Sequence, residues 1–175
     1  MKKTLKMVFI FFVFISCTNT PNRSAEKNIF SDTGLASFQN EEYTIISVLV
    51  NDLQKTLEIW NIQDSQGFPK ISSIAKIKRN EPISIFLVYS TVKDSINMTY
   101  DLSIFRPDGT FSRNSYKGLT IEKGNGSNRL LRNARELPTI IFDETDQFGT
   151  YQFHIPIYDN NKLIETFIME FELIE

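Results

Sequence analysis

The chain has 175 residues, 41% of them hydrophobic and 13% aromatic, with one cysteine, one histidine and a net charge of −2. That length suffices for one well-buried core, and the acidic balance argues against a nucleic-acid or anionic-membrane surface as the main partner. A lone cysteine excludes an internal disulfide, so burial must supply the stability.

The chain begins MKKTLK, with three lysines and no acid, and continues into the apolar run MVFIFFVFIS. This is the n-region and h-region pattern of a secretory signal over residues 1–16. A membrane-spanning helix needs about 20 apolar residues, roughly twice this run. The segment Phe14-Ile15-Ser16-Cys17 that ends it resembles the lipobox of bacterial lipoproteins, with Phe14 in the place usually held by leucine. The resemblance implies cleavage before Cys17, acylation of its thiol and of the new amino terminus, and a lipid bilayer as a partner. Two or more acyl chains anchor stably where one does not. Thr18 in the following position resembles the sorting signal of outer-membrane lipoproteins facing the periplasm. Losing residues 1–16 removes three lysines and no acid, which takes the net charge from −2 to −5.

Residues 17–40 are mostly small and polar and read as a flexible tether, on which Phe30 or Phe38 is expected to pack against the domain. A coil of about 22 residues spans roughly 25 Å. A single domain is expected over 41–175. Tyr43, Ile45, Val48 and Val50 mark a strand stopped by Asn51-Asp52. Leu53, Leu57 and Trp60 share one helical face behind an Asx cap, so a short helix is expected near 52–61. KISSIAKIK alternates weakly. EPISIFLVYST is apolar on both faces, the mark of a central strand. Ile96, Met98, Tyr100, Leu102 and Ile104 alternate strictly before the turn RPDG. YKGLTI, LPTIIF, GTYQFHIPIYD and KLIETFIMEFELI supply further strands, the last with a slip near Thr166 and joined to its predecessor by a hairpin turn at YDNNKL. The fold class expected is mainly β: an antiparallel sandwich of about seven or eight strands.

The run DETDQFGTY, with Asp146, Gly149 and Tyr151, resembles the tyrosine corner of immunoglobulin-like domains, although the strict spacing places Gln147 where that motif has aspartate. Together with Trp60, GFPKI, the Tyr100–Gly109 run and Gly149-x-Tyr151-x-Phe153, it resembles secreted bacterial proteins and lipoproteins with an immunoglobulin-like sandwich, over residues 43–175. The resemblance implies a fold and no activity.

No constellation names a reaction. His154 stands alone on an alternating strand and is expected to face solvent. Asp143, Glu144 and Asp146 offer oxygens to a cation but lack EF-hand spacing and read as an acidic turn. No catalytic residue, metal site or cofactor is expected. The most distinctive polar stretch is EKGNGSNRLLRNAR, in which Gly124, Asn125, Gly126, Arg129, Arg132 and Arg135 form a candidate partner-binding loop. The arginines recur every three residues, as on one helical face or one side of an irregular loop. The expectation is therefore a non-enzymatic envelope module that binds a protein partner through this loop or a free sheet edge. A secreted immunoglobulin-like inhibitor of a hydrolase is the alternative, and a carboxylate enzyme stands third.

Overall fold

The structure, a computed structural model, describes residues 34–61, 71–121 and 132–175. The signal, Cys17, Gly124, Asn125, Gly126 and Arg129 lie outside these residues.

Among the described residues the chain forms ten strands and one helix: β1 Leu35–Gln39, β2 Tyr43–Val50, α1 Leu53–Asn61, β3 Lys76–Lys78, β4 Pro82–Thr91, β5 Ile96–Phe105, β6 Phe111–Ile121, β7 Arg132–Asn133, β8 Thr139–Ile141, β9 Gly149–Asp159 and β10 Lys162–Ile174. They build two sheets. One has the order β1-β2-β4, with β7 and β8 paired to different stretches of the far edge of β4; the other has the order β3-β10-β9-β5-β6.

Period-two patterning places the core between the sheets. Ile83, Ile85, Leu87 and Tyr89 of β4 meet Tyr100 and Leu102 of β5, Tyr151, Phe153 and Ile155 of β9, and Phe167, Met169 and Phe171 of β10. The opposite face of β2 and β4 carries Val48, Val50, Phe86 and Val88, a second apolar surface that Trp60, Leu53 and Leu57 of α1 cover. Trp60 meets Phe86 edge-on, with ring centroids 5.4 Å apart. Asp52 caps this helix, its carboxylate accepting the Lys55 N–H at 2.9 Å. Both faces of β4 are thereby buried, as its sequence requires.

The β9–β10 hairpin turns through Asn160 and Asn161, both at positive φ (48° and 64°), which asparagine tolerates better than most residues. A register shift between Leu163 and Glu165 resets the phase of β10, so that Ile164 ends one alternation and Phe167 begins the next. The RPDG turn closes with Gly109 N–H donating to the Arg106 carbonyl at 3.0 Å, glycine taking φ of 83°.

Three expectations are corrected. The sheet starts at Leu35, inside the stretch read as tether, because Leu35–Gln39 pairs along β2 and Phe38 packs on the core. The strands number ten among the described residues, β1 and the two-residue β7 being too short and too polar to announce themselves. The sheets are not wholly antiparallel: β3 runs parallel to β10, a pairing that the long connection between them, from β4 through β9, permits.

Candidate functional site

One open boundary of the sandwich is β6, residues FSRNSYKGLTI. Its inner side pairs with β5 in the register Ile104↔Ser112, Leu102↔Asn114 and Tyr100↔Tyr116. Arg106 N–H donates to the Thr110 carbonyl at 2.9 Å, which sets the antiparallel alternation. Ser112, Asn114 and Tyr116 turn their backbone groups toward β5, while Phe111, Arg113, Ser115 and Lys117 turn theirs outward.

At the far end the outward groups are used. Glu136 N–H donates to the Lys117 carbonyl at 3.0 Å, Arg135 N–H to that of Gly118 at 2.6 Å, and Lys117 N–H to the Glu136 carboxylate at 2.8 Å. The same segment binds the other sheet, Ala134 N–H donating to the Leu87 carbonyl at 2.7 Å, so residues 134–136 close the sandwich across its edge. At Phe111, Arg113 and Ser115 no described residue covers the outward N–H and C=O groups.

Side chains at these positions face away from the core. Phe111 is 60% exposed and stacks on Phe105 of β5 at 5.2 Å. Phe105 in turn lies 4.3 Å from the His154 ring of β9. His154 therefore occupies the outer face, half-buried, and burial lowers its pKa. Farther along, Arg113 and Ser115 converge on Asp101 of β5, which is 8% exposed. Ser115 Oγ donates to Asp101 Oδ1 at 2.6 Å, the Arg113 guanidinium donates to Oδ2, and the Tyr158 hydroxyl of β9 interacts with the same carboxylate. Burial pushes the Asp101 pKa up, but these bonds outweigh it and hold the carboxyl below its ordinary value. An open groove of about 500 Å³ runs beside this cluster, bordered by Tyr158, Tyr116, Lys117 and Glu136.

Two residues of the candidate loop are described, and the fold brings both near this edge. Arg132, in β7, is exposed beside Tyr89 of β4, and Arg135 is exposed at the closed end of β6. The segment between them is extended, with Ala134 in the core, so their spacing of three reflects a strand and its continuation rather than a helical face. The acidic turn uses its own oxygens: Asp143 Oδ1 accepts from Thr145 N–H and Oγ1, and Asp146 Oδ2 accepts from Asp143 N–H. Among the described residues no three His, Asp or Glu side chains are placed to share a metal.

A second polar cluster lies at one end of the sandwich. Asp159, 5% exposed, accepts from Tyr43 Oη at 2.6 Å, Lys93 Nζ at 3.1 Å, Asn97 N–H at 2.9 Å and Asn160 Nδ2 at 2.9 Å. Burial and the neighbouring carboxylate push the Tyr43 pKa up to about 12. Burial opposes the Asp159 charge, but Tyr43, Asn97 and Lys93 together lower its pKa.

The sequence did not mark Asp101, Arg113, Ser115 or Tyr158, because each is an isolated polar residue on its own strand and only register collects them. The available signal was that Asp101, Arg113 and Ser115 all occupy the outward phase of their strands.

No protein-family model matches the chain, and no curated protein does. Among solved structures, an alkylpurine DNA glycosylase of Pseudomonas fluorescens bound to DNA containing an abasic site analog is similar over 58% of this chain and 28% of that one, at 14% identity and a TM-score of 0.38. A family 123 glycoside hydrolase of Clostridium perfringens is similar over 75% and 27%, at 12% identity and a TM-score of 0.36. The chain thus spans little more than a quarter of either protein.

Proposed function

We propose that this protein is a membrane-anchored envelope lipoprotein, held by acylated Cys17, whose immunoglobulin-like sandwich is a non-enzymatic binding module. Its occupant is an extended segment of an envelope protein that adds as a strand to the open edge of β6. The observation that carries this reading is the outward backbone of Phe111, Arg113 and Ser115, which no described residue pairs, next to an exposed phenylalanine. Backbone pairing gives such a site affinity, and alternate side chains give it specificity. An apolar residue fits beside Phe111, and a polar residue beside Arg113, whose side chain stays 56% exposed after pairing with Asp101. The immunoglobulin-like assignment is supported by the Tyr151 hydroxyl, which donates to the Gln147 carbonyl at 2.9 Å across the corner before β9. The non-enzymatic reading is supported by the two carboxylates buried among the described residues, both held below their ordinary pKa by their donors, opposite to what a general acid at neutral pH requires.

The test is selection of random nonapeptides on the full-length chain in mild detergent, followed by amide hydrogen exchange with the winners. The expected winners alternate apolar and polar residues, protect the amides of Phe111, Arg113 and Ser115, and lose binding in Phe111→Pro, which removes one outward donor without touching the β5 ladder. Winners that protect other amides, or that bind Phe111→Pro equally well, overturn the edge as the binding surface.

A further inference from the structure

The groove beside Asp101 has a chemistry distinct from that of the edge. Thr99 lies opposite Tyr158 across the β5–β9 ladder, and Tyr100 lies opposite Ile157, so Asp101 stands diagonally one pair further on. The Tyr158 hydroxyl interacts with that carboxylate, and a diagonal neighbour on a sheet face lies within reach of an aromatic side chain, so the ring leans toward Asp101 along the groove that both border. Half-buried Tyr158 thereby offers the groove an aromatic face.

Around this face the hydrogen-bonding groups are mixed. Thr99, Ser115 and Asn161 border the groove as neutral donors and acceptors, Arg113 keeps 56% of its side chain exposed for further donation, and Lys117 and Glu136 carry opposite charges. Counted with the Asp101–Arg113 pair, the charges cancel. A phosphate or carboxylate ligand would find no net positive field, and a cation would find Asp101 already neutralised by Arg113. An apolar ligand would strand the polar rim. The ligand class that fits is a neutral polyhydroxylated ring, whose C–H face stacks on an aromatic side chain while its hydroxyls both donate and accept at the rim. The groove volume of about 500 Å³ falls in the range of small-molecule sites and accommodates about two sugar rings.

We propose that the outer face of β9-β5-β6 is a saccharide-binding site for neutral oligosaccharides, with Tyr158 as stacking platform and Arg113, Ser115 and Thr99 as hydroxyl partners. Asp101 acts as a positioning residue, fixing Tyr158 and Arg113. The groove is open to solvent, so affinity is modest, with Kd of about 0.1–1 mM.

The experiment is a glycan array of neutral and charged oligosaccharides probed with the full-length chain in mild detergent, followed by calorimetric titration of the best neutral binder. Expected are binding to neutral oligosaccharides, a loss of about tenfold or more in Tyr158→Ala, and a smaller loss in Tyr158→Phe and in Thr99→Val, with circular dichroism unchanged. Phe111→Pro should bind saccharide normally while losing peptide, which separates failure of this site from failure of the edge. If Tyr158→Ala does not fold, Tyr158→Phe and Thr99→Val carry the decision. Absence of neutral binders, or binding that ignores these substitutions, overturns the proposal.

Discussion

Tyr89 stands in β4 with its side chain in the core, 1% exposed, and its hydroxyl has no hydrogen-bond partner among the described residues. Burial, reinforced by Tyr100, holds its pKa well above the ordinary tyrosine value, so the group stays neutral across any practical pH. A buried hydroxyl without a partner costs about 1–3 kcal/mol in proteins. Tyr89→Phe removes that cost and leaves a void the size of one oxygen, worth a few tenths of a kcal/mol at about 24 cal/mol per Å³. The expected result is a stabilisation of about 1 kcal/mol, seen as a higher urea midpoint at unchanged m-value and a rise in Tm of about 2–4 °C. Gly118 offers an internal control. A Cβ at that position would lie 3.0 Å from the Tyr89 hydroxyl but only 2.8 Å from the Met98 carbonyl. Gly118→Ala should therefore remain destabilising in the Tyr89→Phe background, since the backbone clash survives. A loss of 1 kcal/mol or more in Tyr89→Phe itself would refute the reasoning and place a bridging water at the hydroxyl.

Trp60→Ala should cost about 3–5 kcal/mol in urea unfolding, because the ring is the main weight of α1 on Phe86 and is itself 8% exposed; a change under 1 kcal/mol would mean that α1 docks without it. Cys17→Ser expressed in a bacterial host should lose the acyl mass carried by wild type and leave the detergent phase, and equal masses and partitioning in both would remove the lipid anchor. Because the folded-state pKa of Asp101 is depressed, its contribution to stability is complete above the unfolded value of about 3.9 and is lost as pH falls through the folded value. Asp101→Asn should accordingly flatten stability against pH below about pH 4 and leave the profile near neutrality parallel to wild type; an unchanged acid limb would show that Arg113 and Ser115 do not hold the charge.

What the sequence disclosed was whatever periodicity encodes. The two apolar faces of β4, the strict alternation of β5, the Asx cap of α1 and the phase slip in β10 are each written in consecutive residues, and local physics suffices to read them. β1 escaped because Leu-Ala-Ser-Phe-Gln has no marked alternation and gains its order from β2. The parallel β3–β10 pair escaped because pairing direction depends on how the intervening chain crosses, which three residues cannot express. The outer-face cluster escaped for the same reason on a larger scale: Asp101, Arg113 and Tyr158 are ordinary solvated-face residues until register places them within reach of one another.

The two buried aspartates also differ in a way that assigns their work. Asp159 takes its donors from Tyr43 at the start of β2, from Lys93 in the connection between the sheets, and from Asn97 and Asn160 beside it. Both of its oxygens are occupied, and its partners come from both sheets. Such an aspartate fastens the end of the sandwich and has little capacity left for a ligand. Asp101 of β5 draws its partners from β6 and β9 of the same sheet only, on the face away from the core, and its arginine remains more than half exposed. Removing it would leave the sandwich closed and the outer face disorganised, because Tyr158 would lose the contact toward which it leans and Arg113 the one that orients it. A cluster dispensable to the core yet built from three strands is economically explained by a partner on that face, next to the edge of β6 that residues 134–136 close only in part.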